Sequence, residues 1–140
     1  QASNHRSVYL CMLRHAPPPE LAAFDLPSGM EVTSQRDETT LPTQALYLMN
    51  SPFVRQQAAA LAKRTLAEPD MDEATRIRFA YRCTLQREPT DRELRLASEL
   101  IKTMQSSLAI GGPDTENGQE RAWAGFCHAL LATSEFRYVD

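Results

Sequence analysis

One kind of turn recurs three times in this chain and constrains it more than any other feature: Asn50-Ser51-Pro52, Glu68-Pro69-Asp70 and Glu88-Pro89-Thr90. Inside a helix a proline removes a hydrogen bond and clashes with the preceding turn, whereas near the start its missing donor has no helical partner anyway. Each such turn therefore ends one helix and opens another. Between and beyond the turns, apolar residues recur at steps of three and four, the period of a helix with one buried face. The pattern predicts a short helix from Pro42 through Asn50 and a second from Pro52 to about Ala67, burying Val54, Ala58, Leu61 and Thr65. A third carries Ala74, Ile77, Tyr81, Thr84 and Leu85 on one face, and a fourth Leu94, Ala97, Ile101, Met104 and Leu108. Gly111-Gly112-Pro113 stops the fourth, and the fifth has the densest apolar face: Trp123, Phe126, Cys127, Leu130 and Leu131. The two aromatics of the closing run, Phe136 and Tyr138, are expected to dock on the bundle.

The helix starts are marked as well. Ser51 is placed to cap the second helix by accepting from a freed backbone amide. Asp70 with Glu73, and Thr90 with Glu93, have the spacing of capping boxes, in which cap and third-residue side chains satisfy orphan amides reciprocally.

Upstream the pattern changes. In Arg6–Arg14 an extended chain places Val8, Leu10 and Met12 on one side and Tyr9, Cys11 and Leu13 on the other, which predicts one short, covered strand. Pro17-Pro18-Pro19 breaks regular structure, Glu20 to Phe24 suits one helical turn, and Asp25 to Thr40 is loop. The expected fold is mainly α: a small antiparallel bundle of about five helices with an irregular N-terminal third containing one short strand. Residues 1–140 are expected to form a single domain, with 1–41 packing as an extended segment on the helical bundle 42–140. A chain of 140 residues, 42% of them hydrophobic, can bury roughly 68–70% of its unfolded surface and needs no metal or disulfide staple. The opening Gln-Ala-Ser-Asn, without an initiator Met or a basic-then-apolar leader, is expected of a piece cut from a longer protein, which the resemblance given below implies to be multidomain.

Fifteen Lys and Arg stand against eighteen Asp and Glu, a net charge of −3, with the signs interleaved. Such a chain has no pull on phosphate backbones or anionic lipid, so neither nucleic acid nor membrane insertion is expected. The search for chemistry is similarly restrictive. Cys11, Cys83 and Cys127 are far apart and form no Cys-x-x-Cys pair, and His5, His15 and His128 form no His-Glu-x-x-His pattern. No metal site, covalent haem or other cofactor is expected in this stretch. The cysteines serve either as plain packing or, for Cys83 and Cys127, as one disulfide that leaves an odd thiol. Cys127 and His128 are neighbours, but successive helical residues point about 100° apart, which favours a half-buried spacer over a thiol–imidazole pair. Asp70, Asp72 and Glu73 cluster in a first helical turn, where the helix dipole favours negative charge. Arg76, Arg78, Arg82 and Arg87 fit a solvated face better than an RNA-binding stripe. What remains is the polar stretch Arg36 to Gln44 with Asn50 and Ser51. Its side chains either organise a long loop or line a surface for a polar ligand; the residues that would do so are Arg36, Thr40, Gln44, Asn50 and Ser51, and no catalytic set is recognised.

Taken in order, Arg6-Ser7-Val8-Tyr9-Leu10, Pro18-Pro19-Glu20-Leu21 with Phe24-Asp25, Thr39-Thr40-Leu41-Pro42-Thr43-Gln44-Ala45-Leu46 and Met49-Asn50-Ser51-Pro52-Phe53-Val54 form a succession of motifs. Ala80-Tyr81-Arg82, Arg87-Glu88-Pro89-Thr90 and Leu130 to Asp140 continue it. The succession resembles the C-terminal part of a planctomycete-specific domain of unknown function found in large proteins that often carry a cytochrome-c-like domain. That family tends to have Gly where this chain has Gln86, so a left-handed helix end costs more here. The resemblance implies an exported, extracytoplasmic protein of the periplasm or cell envelope. It further implies a non-catalytic structural or interaction role, with the parent protein's other domains as partners and with polysaccharide or redox partners reached through those domains. It supplies no catalytic residue. The alternative is an enzyme or polysaccharide-binding site completed by a missing N-terminal half and using Arg36, Gln44 or Asn50.

Overall fold

The computed structural model describes Phe24, residues 42–109 and residues 115–137. Six helices run through them: α1 Pro42–Asn50, α2 Pro52–Leu66, α3 Glu73–Leu85, α4 Asp91–Ala109, α5 Thr115–Leu131 and α6 Ser134–Arg137. The molecule is mainly helical, and no strand occurs among the described residues. The strand expected at Arg6–Arg14, the loop from Asp25 to Thr40, the stop at Gly111-Gly112-Pro113, Cys11 and Tyr138 lie outside those residues, as does the turn after Pro19 apart from Phe24.

The chain divides between Tyr47 and Leu48 into two compact units, Gln1–Tyr47 and Leu48–Asp140. In the first, the Phe24 ring meets Tyr47 edge-on, with ring centroids 5.4 Å apart. In the second, α5 is the central rod. It packs most extensively on α2 and then on α4, while α3 touches α2, α4 and α5.

The second unit assembles this way because the apolar stripes find one another. Trp123, Phe126, Cys127 and Leu130 of α5 meet Ala58 and Ala62 of α2, Ile77, Ala80 and Tyr81 of α3, and Ala97 and Ile101 of α4 in one buried cluster. The α2 stripe is built of small residues, so its backbone lies close to α5, and burial falls on Ala62 instead of the expected Leu61, which is only half-buried. Thr65 is fully buried in the same stripe and satisfies its hydroxyl locally by donating to the Leu61 carbonyl at 2.8 Å. Trp123 and Phe126 pack edge to face at 5.8 Å, and the Tyr81 ring lies 6.4 Å from Phe126. On α4, Ala97 and Ile101 are buried, and Leu94, Met104 and Leu108 flank them half-buried. A side-chain carbon added at Gly125 would stand 2.6 Å from the Met104 sulfur, so glycine there admits Met104 against α5.

Three details of the helix ends differ from expectation. The cap of α3 is Asp72, two residues after Asp70: its carboxylate accepts from the Thr75 amide at 2.8 Å. Proline at position 69 stops α2, but the chain needs further turn residues before it can re-enter a helix, which moves the start beyond Asp70. Ser51 has the extended backbone of an N-cap, yet its side chain makes no capping bond; its carbonyl instead accepts the first helical amide, from Arg55, at 3.1 Å. Phe136 does not dock and is 38% exposed. Glu135 turns toward the bundle, and the next residue on a one-turn helix points about 100° away from it. The second box is formed as expected: Thr90 donates its amide and hydroxyl to Glu93 at 2.7 and 2.8 Å, and the Glu93 amide returns to the Thr90 hydroxyl at 3.3 Å.

Candidate functional site

Of the polar residues singled out in the sequence, Arg36 and Thr40 lie outside the described residues. Gln44 is half-buried on α1, and Asn50 is exposed as its last residue. Six positions separate them, which sets them about 120° apart around the helix axis and off a common face. Ser51 is buried at the corner between α1 and α2. That corner is fixed from across the fold: His128 on α5 places its Nε2 2.9 Å from the Leu48 carbonyl. This carbonyl belongs to the last turn of α1, where acceptors lack helical donors, and the imidazole supplies one. His128 is thus an anchor for the corner as well as a spacer on α5. Its partner is 80 residues away, so no local spacing pointed to the contact.

The densest polar cluster of the described residues is centred on Arg87. Its position follows from the end of α3, where Gln86 takes the left-handed conformation, φ 56° and ψ 23°. That reverses the chain and presents Arg87 to three elements at once. Its guanidinium donates to Glu93 from both terminal nitrogens, at 2.9 and 2.6 Å, and to Glu135 on α6 from Nε and Nη2. Nη1 also donates to the Glu88 carbonyl at 3.0 Å. The planar fork of arginine suits such paired contacts, which a lysine cannot reproduce. Beneath lies the Tyr81 ring, its centroid 5.5 Å from the guanidinium carbon.

The charges in this cluster stabilise one another. Bonds from Arg87 and from the Thr90 amide hold the Glu93 carboxyl well below the usual range, at about 2. Arg87 holds Glu135 below its ordinary value, and the two carboxylates, Glu135 foremost, push Arg87 further up. Burial, with the Glu93 charge adding to it, raises the Tyr81 hydroxyl. An arginine so engaged fastens a turn; its donors are directed at the chain's own acceptors.

Several other charged groups also meet partners within the chain. Arg78 and Arg82 face Glu88 at 3.9 and 3.4 Å, and Arg76 donates to the Glu68 carbonyl at 2.9 Å. Glu73 accepts from Ser98 and lies 4.0 Å from Lys102, tying the start of α3 to α4. The arginines of α3 thus sit beside carboxylates and carbonyls. Cys83 and Cys127 are both free thiols, and Cys83 is exposed, not packed. Burial pushes the Cys127 thiol up to about 12, so it stays protonated at neutral pH, unlike an activated nucleophile. No group of three or more metal-ligating side chains occurs among the described residues, and none of their helices is long and apolar enough to cross a membrane.

In comparison with known proteins, the family described as PSD1, protein of unknown function (DUF1553), matches residues 1–101. The matched span takes in the Thr90–Glu93 box and stops short of α5, α6 and the closing motif from Leu130. No curated protein and no solved structure matches the chain.

Proposed function

This chain belongs to the PSD1 family of proteins of unknown function (DUF1553), and we propose that it is a non-catalytic helical scaffold and interaction domain of a larger exported protein of planctomycete type. The observation that most supports a structural role is the Arg87 cluster. The richest collection of charge in the described bundle binds its own turn, its own helix start and α6. An interaction role is supported by Met49 and Phe53, 59% and 56% exposed on either side of the His128-anchored corner. Apolar side chains exposed on a fixed element suit contact with another protein surface. The cytochrome-c-like companion domain, the extracytoplasmic location and the polysaccharide or redox partners of this proposal rest on the motif resemblance alone.

The test uses the chain and the remainder of its parent protein, expressed separately and titrated by calorimetry. Saturable binding in trans that Met49→Lys and Phe53→Lys weaken, with the melting temperature unchanged, is the expected result. The competing enzyme reading requires that Arg36→Ala or Asn50→Ala in the full-length protein abolish turnover at an unchanged melting temperature. That result, or saturable glycan binding by the chain itself, would displace the scaffold reading.

A further inference from the structure

The carbonyl that His128 meets is one that the sequence deprives of its helical donor. In an uninterrupted helix the Leu48 carbonyl would accept from the amide four residues on. That residue is Pro52, which has no amide hydrogen, and Ser51 before it is extended, at φ −62° and ψ 127°, so the chain turns away from the path of α1. Leu48 is buried, and a buried acceptor left without a donor is costly. His128, half-buried on α5, brings its Nε2 to 2.9 Å from this oxygen. A carbonyl oxygen only accepts, so Nε2 is the ring nitrogen that carries the proton. The imidazole thus supplies, from 80 residues away, a donor where Pro52 offers none.

Beside this contact stand two exposed apolar side chains. Met49 directly follows Leu48, and Phe53 directly follows Pro52. Phe53 lies in the first turn of α2, whose first helical amide, from Arg55, returns to the Ser51 carbonyl at 3.1 Å. The bend of the corner therefore sets where both side chains emerge. We propose that His128 is a positioning residue for the surface made by Met49 and Phe53: by donating to the carbonyl orphaned at Pro52, it fixes the bend from which these two side chains project. This role rests on the reading above that Met49 and Phe53 meet another part of the parent protein. Gln44 and Asn50 of α1 are engaged as well, so the imidazole is one tie among several, and its removal loosens the corner without unfolding it.

Magnetic resonance of the full chain tests the geometry, and calorimetric titration with the remainder of the parent protein tests its consequence. In the unaltered chain at neutral pH, the His128 Nε2 is expected to carry its proton and to show a hydrogen-bond coupling to the Leu48 carbonyl carbon. His128→Phe keeps a planar ring and removes the donor. Order parameters of Met49, Ser51 and Phe53 should then fall from the rigid value of about 0.85, while those of Ile101 and Phe126 hold. The same variant should weaken binding about tenfold, since two side chains must now be ordered on contact. His128→Gln, whose side-chain amide can donate from near the place of Nε2, should restore both the order and the binding.

The positioning role is overturned if Nδ1 alone carries the proton in the unaltered chain, a result that needs no variant to fold. It is equally overturned if the corner stays as ordered in His128→Phe as in the parent chain, if Ile101 and Phe126 loosen with it, or if His128→Gln restores neither readout. Binding that Met49→Lys and Phe53→Lys weaken but His128→Phe does not also overturns it. Binding that Met49→Lys and Phe53→Lys leave unchanged overturns the contact reading itself, and this role with it, whatever the corner does.

Discussion

Gln86 shows how much one residue can settle. A left-handed backbone crowds any side-chain carbon against the following carbonyl, at a cost of about 1–2 kcal/mol, and glycine escapes it. The motif resemblance marked this position as one where glycine is usual, and the structure places Gln86 at φ 56°, the one positive-φ non-glycine among the described residues. Gln86→Gly is therefore expected to stabilise the fold by about 0.5–1 kcal/mol in urea unfolding, after allowing for the greater flexibility of glycine in the unfolded chain. A loss of stability would contradict the left-handed helix end. At the same scale, Arg87 and His128 define the limit of reading residues one by one. Both were visible as polar residues at helix ends, but their partners, Glu135 and the Leu48 carbonyl, come from segments far away along the chain. Nothing in a local pattern selects among distant acceptors.

Helix boundaries were largely legible because their causes lie within a few residues. Pro52 opens α2 and the Thr90–Glu93 box opens α4, both where the spacing placed them. The start of α3 was displaced because Asp70, Asp72 and Glu73 offer more than one cap register, and only the path of the chain after Pro69 selects Asp72. Alanine substitution separates the registers. Asp72→Ala should lower the melting temperature while Asp70→Ala leaves it unchanged; Thr90→Ala should cost about 1 kcal/mol, and Thr90→Ser should recover most of it. Ser51→Ala should cost less than Thr90→Ala, since Ser51 makes no side-chain capping bond. If Asp70→Ala destabilises and Asp72→Ala does not, α3 begins in the register of the sequence expectation.

For the molecule as a whole, cohesion of the second unit depends on the cluster around α5, and the cost of removing a side chain should follow burial there. Ile101→Ala, at a fully buried position, is expected to cost about 2–5 kcal/mol in chemical unfolding. Leu96→Ala, on the same helix but 53% exposed, should change stability by less than about 0.5 kcal/mol. Equal effects would mean that α4 is rotated from the face seen here. The sequence by itself determined that the described chain beyond Leu41 is a set of amphipathic helices, that α2 opens at Pro52 and α4 at the Thr90–Glu93 box, and that Trp123, Phe126, Cys127 and Leu130 lie at their common centre. Those properties come from proline, caps and a 3.6-residue period, all of them local. Only the tertiary structure decided that α2 buries Ala62 in place of Leu61, that His128 closes on Leu48 and that Arg87 joins α4 to α6. Each of these depends on how closely two rods approach and which polar groups then come within reach, and the period of a single helix carries no record of its neighbour.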